Sequence, residues 1–214
     1  MIKTEKNNIS MAIANIFLVI SQKITSLLTK IGMIGAWLTI PLIGIIIFDI
    51  ITRRFLVLGS TKLQEMEWHL HTMIFFLALG FAYTRNAHVR IEVVREKFSL
   101  ELKSWLEVTG CVLFLIPYTI MIIYFGLDFV ERSFALNEVS SALTGLSHRW
   151  IIKSFVPIGM VLLWLGGCAV LLRNIAFLIG LEINNKTVIQ NAEKISPELS
   201  SPEQELQNLK NKED

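Results

Sequence analysis

The chain has 214 residues, 53% of them hydrophobic and 18% charged, with a mean hydropathy of +0.55. Soluble domains are less apolar and spread their charge more evenly, so a polytopic membrane protein is expected rather than a soluble core. The net charge of +2 gives no footprint for nucleic acid.

In chain order, the first element is an N-terminal segment, residues 1–30. From Ile9 the apolar residues Ile13, Phe17, Ile20, Ile24, Leu27 and Ile31 recur at spacings of four and three, which predicts an amphipathic helix leading into the membrane. Met11 to Ile20 also has the look of a signal-peptide apolar region. The residues that follow, Ser21-Gln22-Lys23, offer no small-residue cleavage site.

A transmembrane domain, residues 31–183, is expected next. Charge-poor windows place its spans at about 31–51, 68–84, 105–127 and 151–173. Each is near the roughly 20 residues that cross a bilayer core. Backbone amides in lipid find partners only within the segment, so the spans are helices. Pro41, Pro117 and Pro157 predict kinks in three of them. Between the second and third spans, Val94, Phe98, Leu102 and Trp105 form a stripe opposite Arg95, Glu96, Lys97, Glu101 and Lys103, which predicts a second interfacial helix. Residues 184–214 are polar, with Pro197 and Pro202, and are expected to be a disordered cytoplasmic tail. The fold class expected is all-α integral membrane, four transmembrane helices plus amphipathic interfacial helices.

Lysine and arginine set the orientation. The N-terminal segment, the second loop and the tail hold 14 of them, against 6 in the first and third loops. The positive-inside rule then places both termini in the cytoplasm of a bacterial inner-membrane protein. Arg53 and Arg54, in the first loop, run against the bias.

The polar ends of the second span hold the first candidate residues. Glu65, Glu67, Trp68, His69 and His71 mark one end, and Arg85, His88 and Arg90 the other. A haem needs two histidines at one depth. His71 and His88 lie 17 residues apart, about 25 Å along a helix, and cannot share an iron. His69 and His148 could share one surface, though no spacing rule supports the pair. A haem-binding anchor of a redox complex is therefore an alternative reading, and a stand-alone small carrier another. The charge-free stretches inside these spans, residues 31–48, 70–84, 108–127 and 154–172, contain no Asp, Glu, Lys or Arg, groups that proton relays and ion-coupled carriers usually keep at depth. No P-loop, nucleophile elbow or metal-ligand spacing occurs. The expectation is a structural membrane subunit, not an enzyme, with no catalytic, cofactor or metal residues. Cys111 and Cys168 read as small apolar filler, Trp68, Trp105 and Trp150 as interfacial anchors, and Gly159, Gly166 and Gly167 as points of close helix contact.

Two blocks carry a resemblance. One runs Glu65-Met66-Glu67-Trp68, then Ala82-Tyr83-Thr84-Arg85 and His88-Val89-Arg90-Ile91-Glu92-Val93. The other is Glu138-Val139-Ser140-Ser141, then Gly145-Leu146-Ser147-His148-Arg149-Trp150-Ile151-Ile152-Lys153 and Pro157-Ile158-Gly159. Over roughly Ile31 to Leu178 the chain resembles the small membrane subunit, the DctQ family, of tripartite ATP-independent periplasmic (TRAP) transporters. The second block is similar to the branch handling 2-oxo acids, mannitol or chloroaromatic compounds. The N-terminal segment and tail are longer than the family pattern. The resemblance implies a scaffold that packs against a large, DctM-like membrane subunit. That subunit would carry an organic acid, delivered by a periplasmic binding protein, by an elevator motion driven by a sodium gradient. It also implies subunit-interface or anchoring roles for Glu65, Glu67, Trp68, Arg85, His88, Arg90, Glu138, Arg149, Trp150 and Lys153. One of the two acids would pair within the chain, with Arg53, Arg54 or Arg149. Arg85, His88 and Arg90 would meet membrane lipid headgroups.

Overall fold

The computed structural model describes residues 2–55, 59–85, 87, 98–142 and 144–195. Among them every regular element is helical. The helices are α1 (Ile2–Trp37), α2 (Thr39–Phe55), α3 (Thr61–Thr84), α4 (Leu100–Gly110), α5 (Ile116–Ala135), α6 (Trp150–Glu182) and α7 (Lys186–Ile195), with a π-helical segment, Cys111–Leu115, joining α4 to α5.

Among the described residues three helical stretches are long and apolar enough to cross a membrane: Asn7–Phe55, Leu100–Ala135 and Trp150–Glu182. α3, where the second span was expected, is not one of them. Its first turns carry Lys62, Glu65, Glu67, His69 and His71, which leaves a short apolar remainder.

Proline chemistry sets the boundaries. α1 passes residue 31, the expected start of the first span, and runs unbroken to Trp37. The interruption falls at Leu38. Pro41 has no N–H to donate to the Trp37 carbonyl and its ring crowds that carbonyl, so the break sits one turn before the proline. Pro117 likewise cannot donate to Leu113, and the preceding turn widens, with the Ile116 N–H reaching the Cys111 carbonyl. Pro157 is carried inside α6 without a break.

The tail expectation is corrected over its first part. Lys186–Ile195 is a helix, with Val188 and Ala192 buried. Asn184 takes a left-handed φ of 49° that ends α6. Asn185 then caps α7, its Oδ1 accepting the N–H groups of Thr187 at 3.0 Å and Val188 at 3.2 Å. A mostly polar sequence hid two apolar positions four residues apart, enough to bury one face. Residues 196–214 lie outside the described set.

The chain divides into two compact units. One comprises Met1–Ser26, His88–Ile116 and Gly167–Asp214. Its core joins Ala14 and Leu18 of α1, Ala176 and Phe177 of α6, and Val188 and Ala192 of α7. Ser21 Oγ donates to the Ala169 carbonyl at 2.8 Å, tying α1 to α6. Gly167 faces Leu115, where a Cβ would come within 2.3 Å of the leucine side chain. Arg173, one of the cations in the positive-inside count, is 1% exposed.

The other unit comprises Leu27–Ala87 and Pro117–Gly166. Glycines of α1 and α6 press on α3 there. A Cβ on Gly32 would come 2.7 Å from the Phe81 side chain, on Gly35 3.0 Å from Leu77 and on Gly159 2.5 Å from Phe76. At Gly80 a Cβ would sit 2.4 Å from the Leu162 carbonyl oxygen, and at Gly166 3.1 Å from that of Gly80. Backbones approach this closely only where at least one of the two residues in contact carries no side chain. Thus α3, whose first turns are polar, is held by tight contact on more than one side.

Candidate functional site

The Glu65–Trp68 part of the first sequence block and the second block meet at the end of the second unit where α3 and α6 begin. Two residues past the end of α5, Asn137 turns the chain with a φ of 44°. The loop to α6 folds on itself: the Ser140 N–H donates to the Leu146 carbonyl at 3.1 Å, Gly145 to Ala142 at 3.0 Å, and Arg149 to Glu138 at 3.1 Å. His148, with φ 61°, reverses the chain into α6.

Glu65 fills the centre of this loop from α3. One carboxylate oxygen accepts the Ser140 hydroxyl, and the other accepts the Leu146 backbone N–H at 2.6 Å. Ser140 Oγ in turn accepts the Ala142 N–H at 3.1 Å. Gly145 makes room, since a Cβ there would lie 2.3 Å from Ser140 and 2.8 Å from Glu65 Oε1. The Leu146 and Ser140 hydrogen bonds, with smaller help from the Arg149 and His69 charges, hold the Glu65 carboxyl below its usual pKa despite partial burial. Thr144 reaches back to Thr61 at 3.3 Å, a second tie to the first turn of α3.

Glu138 and Lys153 make the neighbouring ion pair, linking the end of α5 to α6. The ammonium also lies 4.0 Å from the Phe129 ring centroid, a cation–π contact. The Lys153 contact leads a set of interactions that hold the Glu138 carboxyl below its usual pKa, with the Arg149 charge the smallest of them. Phe134 and Trp150 pack edge-to-face at 5.3 Å between centroids beside it.

The structure thus brings Glu65, Glu138, Arg149, Trp150 and Lys153 into one assembly. Trp68 is one turn further along α3 and points outward, 60% exposed. Glu67 is half-buried, and its carbonyl lies 3.0 Å from His71 Nδ1. The partner of Glu65 is a serine and a backbone amide rather than an arginine. Arg85 is elsewhere, at the far end of α3, stacked 5.7 Å from the Phe81 ring. His88 and Arg90 lie outside the described residues, as does the 94–97 part of the expected interfacial stripe. α4 begins only at Leu100, capped by Ser99, which accepts the Leu102 N–H at 3.3 Å.

The histidines are engaged locally. His69 Nδ1 sits 2.5 Å from the Glu65 carbonyl oxygen and His148 Nδ1 2.9 Å from Ser147 Oγ. Among the described residues no group of three His, Cys, Asp or Glu side chains is placed to hold a metal ion. Sequence reading missed Ser140 and Gly145 as working parts of the loop, and it missed Asp49, a buried acid on α2 paired with Arg53 at 2.7 Å. The i, i+4 spacing of Asp49 and Arg53 was the available signal.

The assembly and the glycine seam fall within residues 27–166. Residues 42–177 match the model of one protein family, described as the DctQ component of tripartite ATP-independent periplasmic transporters. No curated protein matches the chain.

Proposed function

Because the chain belongs to the DctQ component family and is a TRAP-transporter small membrane subunit, we propose that it acts as a fixed scaffold. In this reading a large membrane subunit carries an organic acid, supplied by a periplasmic binding protein and driven by an ion gradient, sodium being the expected ion. The chain spans the inner membrane four times, with α3 the second crossing and both termini in the cytoplasm. Glu65 and its loop then face the periplasm. Arg85, together with His88 and Arg90, meets headgroups at the opposite surface.

One observation carries this reading: both oxygens of Glu65 are already occupied by donors of the same chain. An acid so engaged is a brace. It is not free to take a coupling cation, and it would repel an organic anion. Glu138 is likewise engaged by Lys153. The polar groups that looked most like a binding site stiffen the loop and hold it on α3. A mobile transport domain needs such a rigid body to slide against.

Uptake by reconstituted transporter tests the proposal. Glu65→Gln and Lys153→Ala should lower co-purification with the large subunit, or the maximal uptake rate. The substrate concentration giving half-maximal uptake should stay unchanged at saturating binding protein. A variant that assembles normally but shifts substrate or sodium dependence about tenfold would place this chain in the transport site, against the scaffold reading.

A further inference from the structure

We infer that the C-terminal end of α2 is a phospholipid headgroup site, in which buried Asp49 positions Arg53 to grip the phosphate beside Arg54. The inference rests on α2 lying in the membrane, within the apolar stretch Asn7–Phe55.

The Asp49–Arg53 pair is asymmetric. The two side chains meet at 2.7 Å, yet the acid is 9% exposed and the guanidinium 54%. Asp49 Oδ1 is buried with no hydrogen-bond partner among the described residues, so the Arg53 contact is its side-chain bond to the rest of the chain. A buried, half-satisfied carboxylate at this depth is costly, and such groups are retained for a task. Here the task is to hold an otherwise floppy arginine in one direction. One guanidinium nitrogen is committed to Asp49, and the half-exposed side chain keeps further N–H donors of the planar fork that suits a phosphate.

The surroundings fit a lipid. Arg53 and Arg54 form the basic last turn of α2, where the helix dipole also favours cations. Ile50 lies three and four residues before them, one turn deeper, and Ile47 and Ile51 continue the same exposed apolar face. Positive charge at the surface with isoleucines beneath it is complementary to a headgroup phosphate with acyl chains beneath it. The two arginines also stand on the side that the positive-inside bias leaves poor in cations, so topology does not account for them. By contrast, Asp128 and Arg132 on α5 form the same i, i+4 pair at 2.9 Å with both partners exposed, 53% and 77%. That acid is not buried, and the pair serves as an internal control.

The test uses the full chain, purified in detergent and delipidated, with binding read by native mass spectrometry. The probes are phosphatidylglycerol, diacylglycerol with the same acyl chains, and inorganic phosphate. Phosphatidylglycerol should bind wild type and Arg132→Ala alike. Arg53→Ala, Asp49→Asn and the double variant should each weaken it about tenfold, the size of one lost charge-assisted hydrogen bond. The three losses should be equal, because the two residues act as one unit. The double variant removes both partners, so it leaves no buried charge to unfold the helix. The inference is overturned if diacylglycerol binds as well as phosphatidylglycerol, if inorganic phosphate alone competes fully, or if Arg53→Ala retains wild-type binding. Asp49→Asn binding like wild type while Arg53→Ala loses binding would remove Asp49 from the site.

Discussion

Glu65 and Leu146 are 81 residues apart in sequence and joined at 2.6 Å, carboxylate to backbone amide. Through that bond, and the one from Ser140, the first turns of α3 organise the loop before α6. The Ser140 hydroxyl and the Leu146 amide each donate to one oxygen of Glu65, and a glutamine offers only one such acceptor, its other terminal group being an NH2 donor. Glu65→Gln should therefore speed hydrogen exchange at Leu146 and Ala142 while leaving α6 protected. Unchanged exchange there would show that the loop holds without its acid.

Gly145 and Gly44 make a contrasting pair. A Cβ on Gly145 would strike Ser140 and Glu65, whereas one on Gly44 meets nothing within 4 Å. Gly145→Ala should mimic Glu65→Gln in the exchange experiment. Gly44→Ala should leave melting unchanged or raise it slightly, since alanine is the better helix former.

Gly80 is the tightest point of the helix seam. Its Cβ would fall 2.4 Å from a backbone carbonyl, which cannot rotate away as a side chain can. Gly80→Ala should destabilise by about 1–3 kcal/mol, the usual range for overpacking. Thermal melting in detergent measures it, and a wild-type midpoint would mean that α3 and α6 are less closely apposed.

The loop should loosen in acid. Glu65 and Glu138 both have carboxyl pKa values lowered from the ordinary 4.5. A depressed folded-state pKa gives stabilisation that is complete above 4.5 and is lost as pH falls through the lower folded value. Loop exchange, taken relative to the intrinsic amide rate at each pH, should therefore be flat from neutral pH down to about 5 and rise below 4.5. Glu65→Gln should flatten that rise. The same rise in the Glu65→Gln variant would assign it to another group.

α7 should behave as part of the fold. Ala192 is fully buried between α1 and α6, whereas Gln190 is exposed. Ala192→Leu should cost about 1–3 kcal/mol by overpacking, while Gln190→Ala should stay within about 0.5 kcal/mol. Equal effects would detach α7 from the core.

Much of this protein was legible along the chain. Hydropathy and the lack of charge from Ile31 to Phe48 demanded a membrane and therefore helices, because unpaired amides are intolerable in lipid. Pro41 and Pro117 marked where helices would deform, and Gly159, Gly166 and Gly167 where they would touch. The two motif blocks were visible as well, each as an isolated string. That Glu65 of the first binds Ser140 and Leu146 of the second was not visible. A carboxylate's partners are chosen by the packing of α3 against the loop, and nothing at position 65 encodes a donor 81 residues away. Arg173 shows the same limit: at the end of an apolar run it enters the positive-inside count as one more cation, and only the surrounding helices bury it. α7 is the converse case, too polar to be predicted as ordered until α1 and α6 supply a surface for Val188 and Ala192. Local sequence determines solvent and periodicity, because those act within a few residues. Tertiary structure decides which polar group meets which, because that depends on distances no single segment sets.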